Sequence, residues 1–182
     1  HIGSNKYQKS YCQCGEDLIM KFIFSQLNLK PNYIDIGAHH PFIISNTAIF
    51  YIEGINGINI EPNPDLFQIF KKERTRDINL NFGISEKEAI LEYYQFSEPA
   101  LNTFSEHERD NCINEKKKFI GKKNVQTFPL KHVINKYCNG KFPNFLSLDV
   151  EGFDSMILNQ IDFKDNYPTV VCVETISYST NR

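Results

Sequence analysis

Short apolar runs alternate along this chain with stretches whose apolar positions recur every three or four residues. Leu18, Ile19, Phe22, Ile23 and Leu27 fall at helical spacing, which predicts a helix over 17–29 stopped by Pro31. Tyr33-Ile-Asp-Ile36 is a short apolar run ending at Gly37, the mark of a buried strand. Ser45 or Asn46 caps a helix that closes at Gly54, and 57–61 is the next strand. Asn63 offers an N-cap ahead of Pro64, with Leu66, Phe67 and Phe70 as the apolar face of the helix that follows. A third strand over 78–84 and a fourth over 90–96, folding back on it, come next. Ser105-x-x-Glu108 is a capping box opening a helix to Phe119, with Lys116-Lys117-Lys118 as its solvated end. A strand over 125–130, a short helix over 131–138 closed by Gly140, a strand over 145–150, a helix over 154–161 and a strand over 169–174 complete the pattern.

Strand and helix in alternation predict an α/β domain, a parallel sheet covered on both faces. Such sheets bind ligands beyond the carboxyl ends of their strands, where the strand order reverses. The predicted ends carry Asp35-x-Gly37-Ala38, Glu61-Pro-Asn63, Asn81-Phe-Gly83, Asp149-x-Glu151-Gly152 and Glu174. Four of the five include an acid, and that clustering is the main functional signal.

Gly37 adopts positive φ at no cost and lets a ligand lie close to the backbone. A dinucleotide fingerprint needs three glycines, and here Gly37 stands alone, so no pyrophosphate cradle is spelled out. Small residues at 37 and 38 suit an uncharged or cationic ligand; a plain strand-to-helix turn is the alternative. Glu61 follows Gly37 by 24 residues, near the spacing at which a carboxylate meets the two hydroxyls of a ribose. Its simpler role is an acid beside the positive end of the next helix.

Composition narrows the classes. The chain has 182 residues, 41% of them hydrophobic, enough for one packed core. Twenty Lys and Arg against 22 Asp and Glu give a net charge of −2, without the basic excess of a nucleic-acid binder. The longest stretch free of acid and base, 36–52, is broken by His39-His40-Pro41 and Ser45-Asn46-Thr47, so no membrane span is expected. No basic-then-apolar signal pattern opens the chain. Cys12-x-Cys14 has no second pair at zinc spacing, and five unevenly placed cysteines suit a reducing, cytoplasmic compartment.

Five segments in order resemble the FkbM family of S-adenosylmethionine-dependent methyltransferases. They are Tyr11-x-Gln13-x-Gly15-Glu-Asp17, Tyr33-Ile-Asp-Ile-Gly-Ala-His-His-Pro41, Ser45-Asn-Thr47, Gly57-Ile-Asn-Ile-Glu-Pro-Asn63 and Leu146-Ser-Leu-Asp-Val-Glu-Gly152. Ala100-Leu-Asn-Thr-Phe104 is similar to a further segment of the group, and the likeness runs from Tyr11 to about Tyr178.

The resemblance implies a Rossmann-like methyltransferase fold in one domain over 1–182, with a helical lead-in to residue 30 and the core over 31–178. It implies S-adenosylmethionine as cofactor, its methionine end over Asp35, Gly37, Ala38 and His39 and its ribose on Glu61. Asn81 to Gly83 would flank the adenine, and Asp149 and Glu151 would face the methyl group and the acceptor. An alcohol acceptor needs a base, for which Asp149, Glu151, His39 and His40 are candidates. Asp149 and Glu151 would alternatively hold a divalent ion, but two carboxylates supply few ligands, and no metal is expected.

The family's pathways imply O-methylation of a sugar hydroxyl, with N-methylation left open, and a glycan or small-molecule acceptor. Two further strands are expected after the one ending near Glu174. A sheet ending at Arg182 leaves an edge, which missing C-terminal strands or a homodimer partner would account for. Two other classes stay open: a non-catalytic binding module on the same fold, and an NAD-dependent sugar-modifying enzyme.

Overall fold

The computed structural model describes residues 9–173. Its centre is a five-stranded sheet in the order β3-β2-β1-β7-β8, parallel throughout. The strands are β1 (Tyr33–Ile36), β2 (Ile58–Ile60), β3 (Ile78–Leu80), β7 (Phe145–Leu148) and β8 (Val170–Val173). A second sheet, in the order β4-β6-β5, joins β4 (Gly83–Ile84), β5 (Ala89–Phe96) and β6 (Phe119–Phe128), with β5 and β6 antiparallel. The helices are α1 (Glu16–Gln26), α2 (Ala48–Ile52), α3 (Pro64–Glu73), α4 (Glu106–Asn114), α5 (Leu130–Tyr137) and α6 (Asp154–Leu158). Among the described residues no helix is long and apolar enough to cross a membrane.

Alternation along the central strands gives the sheet two unlike faces. Ile34, Ile36, Ile58, Ile60, Leu146 and Leu148 join Leu130, Val133 and Ile134 of α5 and Ile157 of α6 in an aliphatic core. On the other face Tyr33 and Phe145 pack with Met20 and Phe24 of α1 and with Ile49 and Phe50 of α2, the Phe24, Phe50 and Phe145 rings meeting edge to face.

That second face also holds a buried polar network around Arg74, which is wholly removed from solvent. Its guanidinium donates to Asp77, to the Tyr33 hydroxyl, to the Thr47 hydroxyl and to the Pro41 carbonyl. Asp77 in turn accepts from Tyr33, the Gly57 amide and Asn59. A buried charge survives only when paired and fully hydrogen-bonded, and this one is.

Several elements differ from the sequence expectation. The run over 78–84 is two strands in two sheets, because Asn81 between them turns its amide onto the Glu61 and Pro62 carbonyls. β5 therefore folds back on β6 and not on β3. The helix expected to reach Phe119 ends at Asn114, and Lys116 at φ 62 turns the chain into β6, which starts six residues earlier than expected. Capping of α2 falls to Thr47, whose hydroxyl is spent on Asp35. α1 ends at Gln26, ahead of the turn at Asn28 (φ 51). Glu174, the expected last strand end, lies outside the described residues.

Candidate active site

The strand order reverses between β1 and β7: β2 and β3 lie to one side of β1, β7 and β8 to the other. Gly37 leaves β1 at φ 79, and a Cβ there would stand 1.7 Å from the Asp149 carbonyl oxygen. Glycine is thus required because the end of β7 crosses directly over it, with the Asp149 amide donating to the Ile36 carbonyl.

Above this crossing lies a cavity of about 660 Å³, open solvent at its mouth included. Gly37, His39, Glu61, Gly83, Asp149 and Glu151 all line it. Three acidic residues therefore line one space, and no Lys or Arg is among the lining residues. Phe82, Tyr93, Phe104 and Phe153 supply an aromatic wall, with Tyr93 and Phe104 4.7 Å apart and Phe104 stacked on Phe153 at 6.0 Å.

Glu61 is the best-defined acid. It is 4% exposed at the end of β2, one oxygen accepting from the His39 amide at 2.8 Å and the other from the Asn63 amide at 2.7 Å. Burial pushes its carboxyl up to about 8, against the pull of those two amides. Each oxygen keeps a further lone pair with which to accept a ligand hydroxyl.

His39 stands at φ 54, its Nδ1 buried without a partner, and burial lowers its proton affinity. Glu151, at φ 49, is held by its carbonyl, which accepts from the Thr103 hydroxyl at 2.6 Å. Tyr93 is buried on β5. Burial first, then the charges of Glu61 and Glu151, raise its hydroxyl well above the usual value, with Asn102 opposing. It stays protonated, a hydroxyl that can donate or accept.

Other expected residues sit elsewhere. Asp35 lies within β1, pointing to the α2 face, where it accepts from the Thr47 hydroxyl at 2.7 Å; burial raises its carboxyl, with Thr47, Arg74 and Ser147 opposing. Ala38 is buried behind the turn, outside the cavity wall. His40 turns its ring back to the Phe42 amide and does not line the cavity. Asn81 is exposed and braces the turn after β2, leaving Phe82 and Gly83 on the wall. Among the described residues no group of three His, Cys, Asp or Glu is placed to hold a metal.

Sequence reading assigned no role to Tyr93, Asn102, Phe104 or Phe153. Asn102 and Phe104 lie in a segment of the resemblance, but Tyr93 and Phe153 carry no local signal, because only the folding of the second sheet over the first brings them here.

An all-parallel sheet with helices on both faces and a cavity at its switch point defines a Rossmann-like domain. Residues 35–180, about four-fifths of the chain, match the methyltransferase FkbM domain, and the chain belongs to that family. It carries a methyltransferase domain. No curated protein and no solved structure gives a significant match.

Proposed function

We propose that this protein transfers the methyl group of S-adenosylmethionine to a hydroxyl oxygen, on a sugar acceptor in polysaccharide or secondary-metabolite biosynthesis. The observation that carries the donor is the lining of the cavity: three acidic residues and four aromatic rings, with no Lys or Arg. Such a wall suits a ribose-bearing cation and repels a pyrophosphate. Glu61 fits a ribose diol, accepting from both hydroxyls while two backbone amides hold its oxygens in place. The aromatic wall gives a planar base a surface on which to stack.

S-Adenosylmethionine, when bound, supplies an activated methyl carbon. The chain's part is alignment, exclusion of water and removal of one proton. On transfer the acceptor oxygen would bond to that methyl carbon as its bond to sulfur breaks, the sulfur keeping the electron pair. The hydroxyl proton would pass to a carboxylate, for which Asp149 and Glu151, both lining the cavity, are the candidates. His40 does not line the cavity. The sugar acceptor rests on the resemblance read from the sequence.

Isothermal titration with S-adenosylhomocysteine, with NAD as the control, tests the reading. Micromolar binding of the first and none of the second is expected. Binding of NAD alone, or of neither, would overturn it.

A further inference from the structure

A second cavity of about 610 Å³, open solvent included, adjoins the first. Phe153 lines both and forms the partition between them. β5 runs along both as well. Ala89, Leu91 and Tyr93 share one face of that strand by its two-residue period, the first two lining the second cavity and Tyr93 the first. Met156 of α6 completes an apolar wall with Ala89, Leu91 and Phe153, and Leu91, Phe153 and Met156 are only half-buried.

The Ala89, Leu91, Phe153 and Met156 side of this cavity offers a polyhydroxylated ligand no polar side chain to bond with. The Ser85 hydroxyl is already engaged by the Lys87 carbonyl and the Thr127 hydroxyl, and Glu86 and Lys87 are exposed. Half-exposed apolar surface, adjoining the first cavity across Phe153, fits a ligand that is polar at one end and apolar at the other.

We propose that the second cavity is the acceptor subsite for an apolar arm, so that the acceptor is an amphipathic glycoside rather than a bare glycan. The reacting hydroxyl lies on the Glu151 side of Phe153, and the arm lies across Phe153 on Ala89, Leu91 and Met156. Glu151 precedes Phe153 by two residues, so one short segment contributes part of the wall of the first cavity and the dividing ring of both. This proposal rests on the methyl-transfer reading of the first cavity.

The chain has two methionines, Met20 in the core beneath α1 and Met156 on the second cavity, so two methyl resonances report on the question separately. Protein labelled with carbon-13 at the methionine methyls is titrated, in saturating S-adenosylhomocysteine, with octyl β-D-glucoside below its micelle concentration. Methyl β-D-glucoside is the control.

The Met156 signal should move saturably with the octyl glycoside, at a half-saturation at least ten-fold below that of the methyl glycoside, while Met20 stays still. Leu91→Glu and Ala89→Phe should each raise that half-saturation at least ten-fold and leave S-adenosylhomocysteine affinity, measured by calorimetry, unchanged. A stationary Met156 signal, equal response to both glycosides, or variants that titrate like the parent would overturn the proposal. If a variant loses S-adenosylhomocysteine binding through misfolding, the comparison of the two glycosides on the parent protein decides. Failure of S-adenosylhomocysteine to bind the parent protein overturns the methyl-transfer reading, whereas the Met156 titration in its absence still reports whether the cavity takes an apolar arm.

Discussion

Glu61→Gln tests the charge logic of the site. The side chain is 4% exposed and the substitution is nearly isosteric, so it removes a charge with little change in packing. Burial lifts the carboxyl from 4.5 to about 8. A tenfold change in proton affinity is about 1.4 kcal/mol, so ionising Glu61 costs about 5 kcal/mol more in the folded protein than in the unfolded chain. Between those two values the folded protein holds a proton that the unfolded chain has released. Stability therefore falls as pH rises through the window, and the loss is complete once pH passes about 8.

Urea unfolding at pH 6 and pH 9 measures this, since about two pH units of that window lie above pH 6. The stability of the parent protein relative to the Gln variant should drop by about 3 kcal/mol between them. Other groups titrate alike in both proteins, so the difference isolates Glu61. A ligand hydroxyl donating to Glu61 favours the ionised form. S-Adenosylhomocysteine affinity of the parent protein should therefore rise from pH 6 to about 8 and level off. The Gln variant should bind about 1–3 kcal/mol more weakly above pH 8, without that rise. Parallel stability profiles for the two proteins would refute the assignment of a raised carboxyl at Glu61.

Gly37→Ala should cost at least about 3 kcal/mol by denaturation, since the added Cβ meets the Asp149 carbonyl at 1.7 Å and the backbone is at φ 79. Arg74→Leu should cost about 3–5 kcal/mol because it strands Asp77 in the core. The same urea assay should show part of that loss recovered in Arg74→Leu/Asp77→Leu. Asp149→Asn should slow methyl transfer by about 10²-fold or more while leaving S-adenosylhomocysteine affinity within about threefold. Equal losses in single-turnover rate and in binding would make Asp149 a binding residue.

Much of the fold was legible in local pattern. Tyr33–Ile36, Phe145–Leu148 and the helix capped by Asn63 follow from apolar runs and caps, because these signals act within a few residues. Gly37 and Glu61 were legible as site candidates for the same reason: each sits in the turn after its own strand. Asp35 lies off the cavity wall, and strand alternation alone does not say which face a side chain takes. The face of β1 toward α1 and α2 carries Asp35 into the Thr47 and Arg74 network instead.

The sequence by itself determined the alternation of strands and helices, the glycine that only a tight crossing tolerates, and the acids at the strand ends. Tertiary structure decided what those ends meet. Gly37 and Asp149 are 112 residues apart in the chain, and their contact depends on β1 choosing β7 as neighbour. The split of 78–84 between two sheets, and the carriage of Tyr93 to Glu61, depend likewise on pairings far apart in sequence. Periodicity encodes which face of an element is apolar. The partner that covers that face is selected by packing across the whole chain, and the cavity exists only where those choices meet.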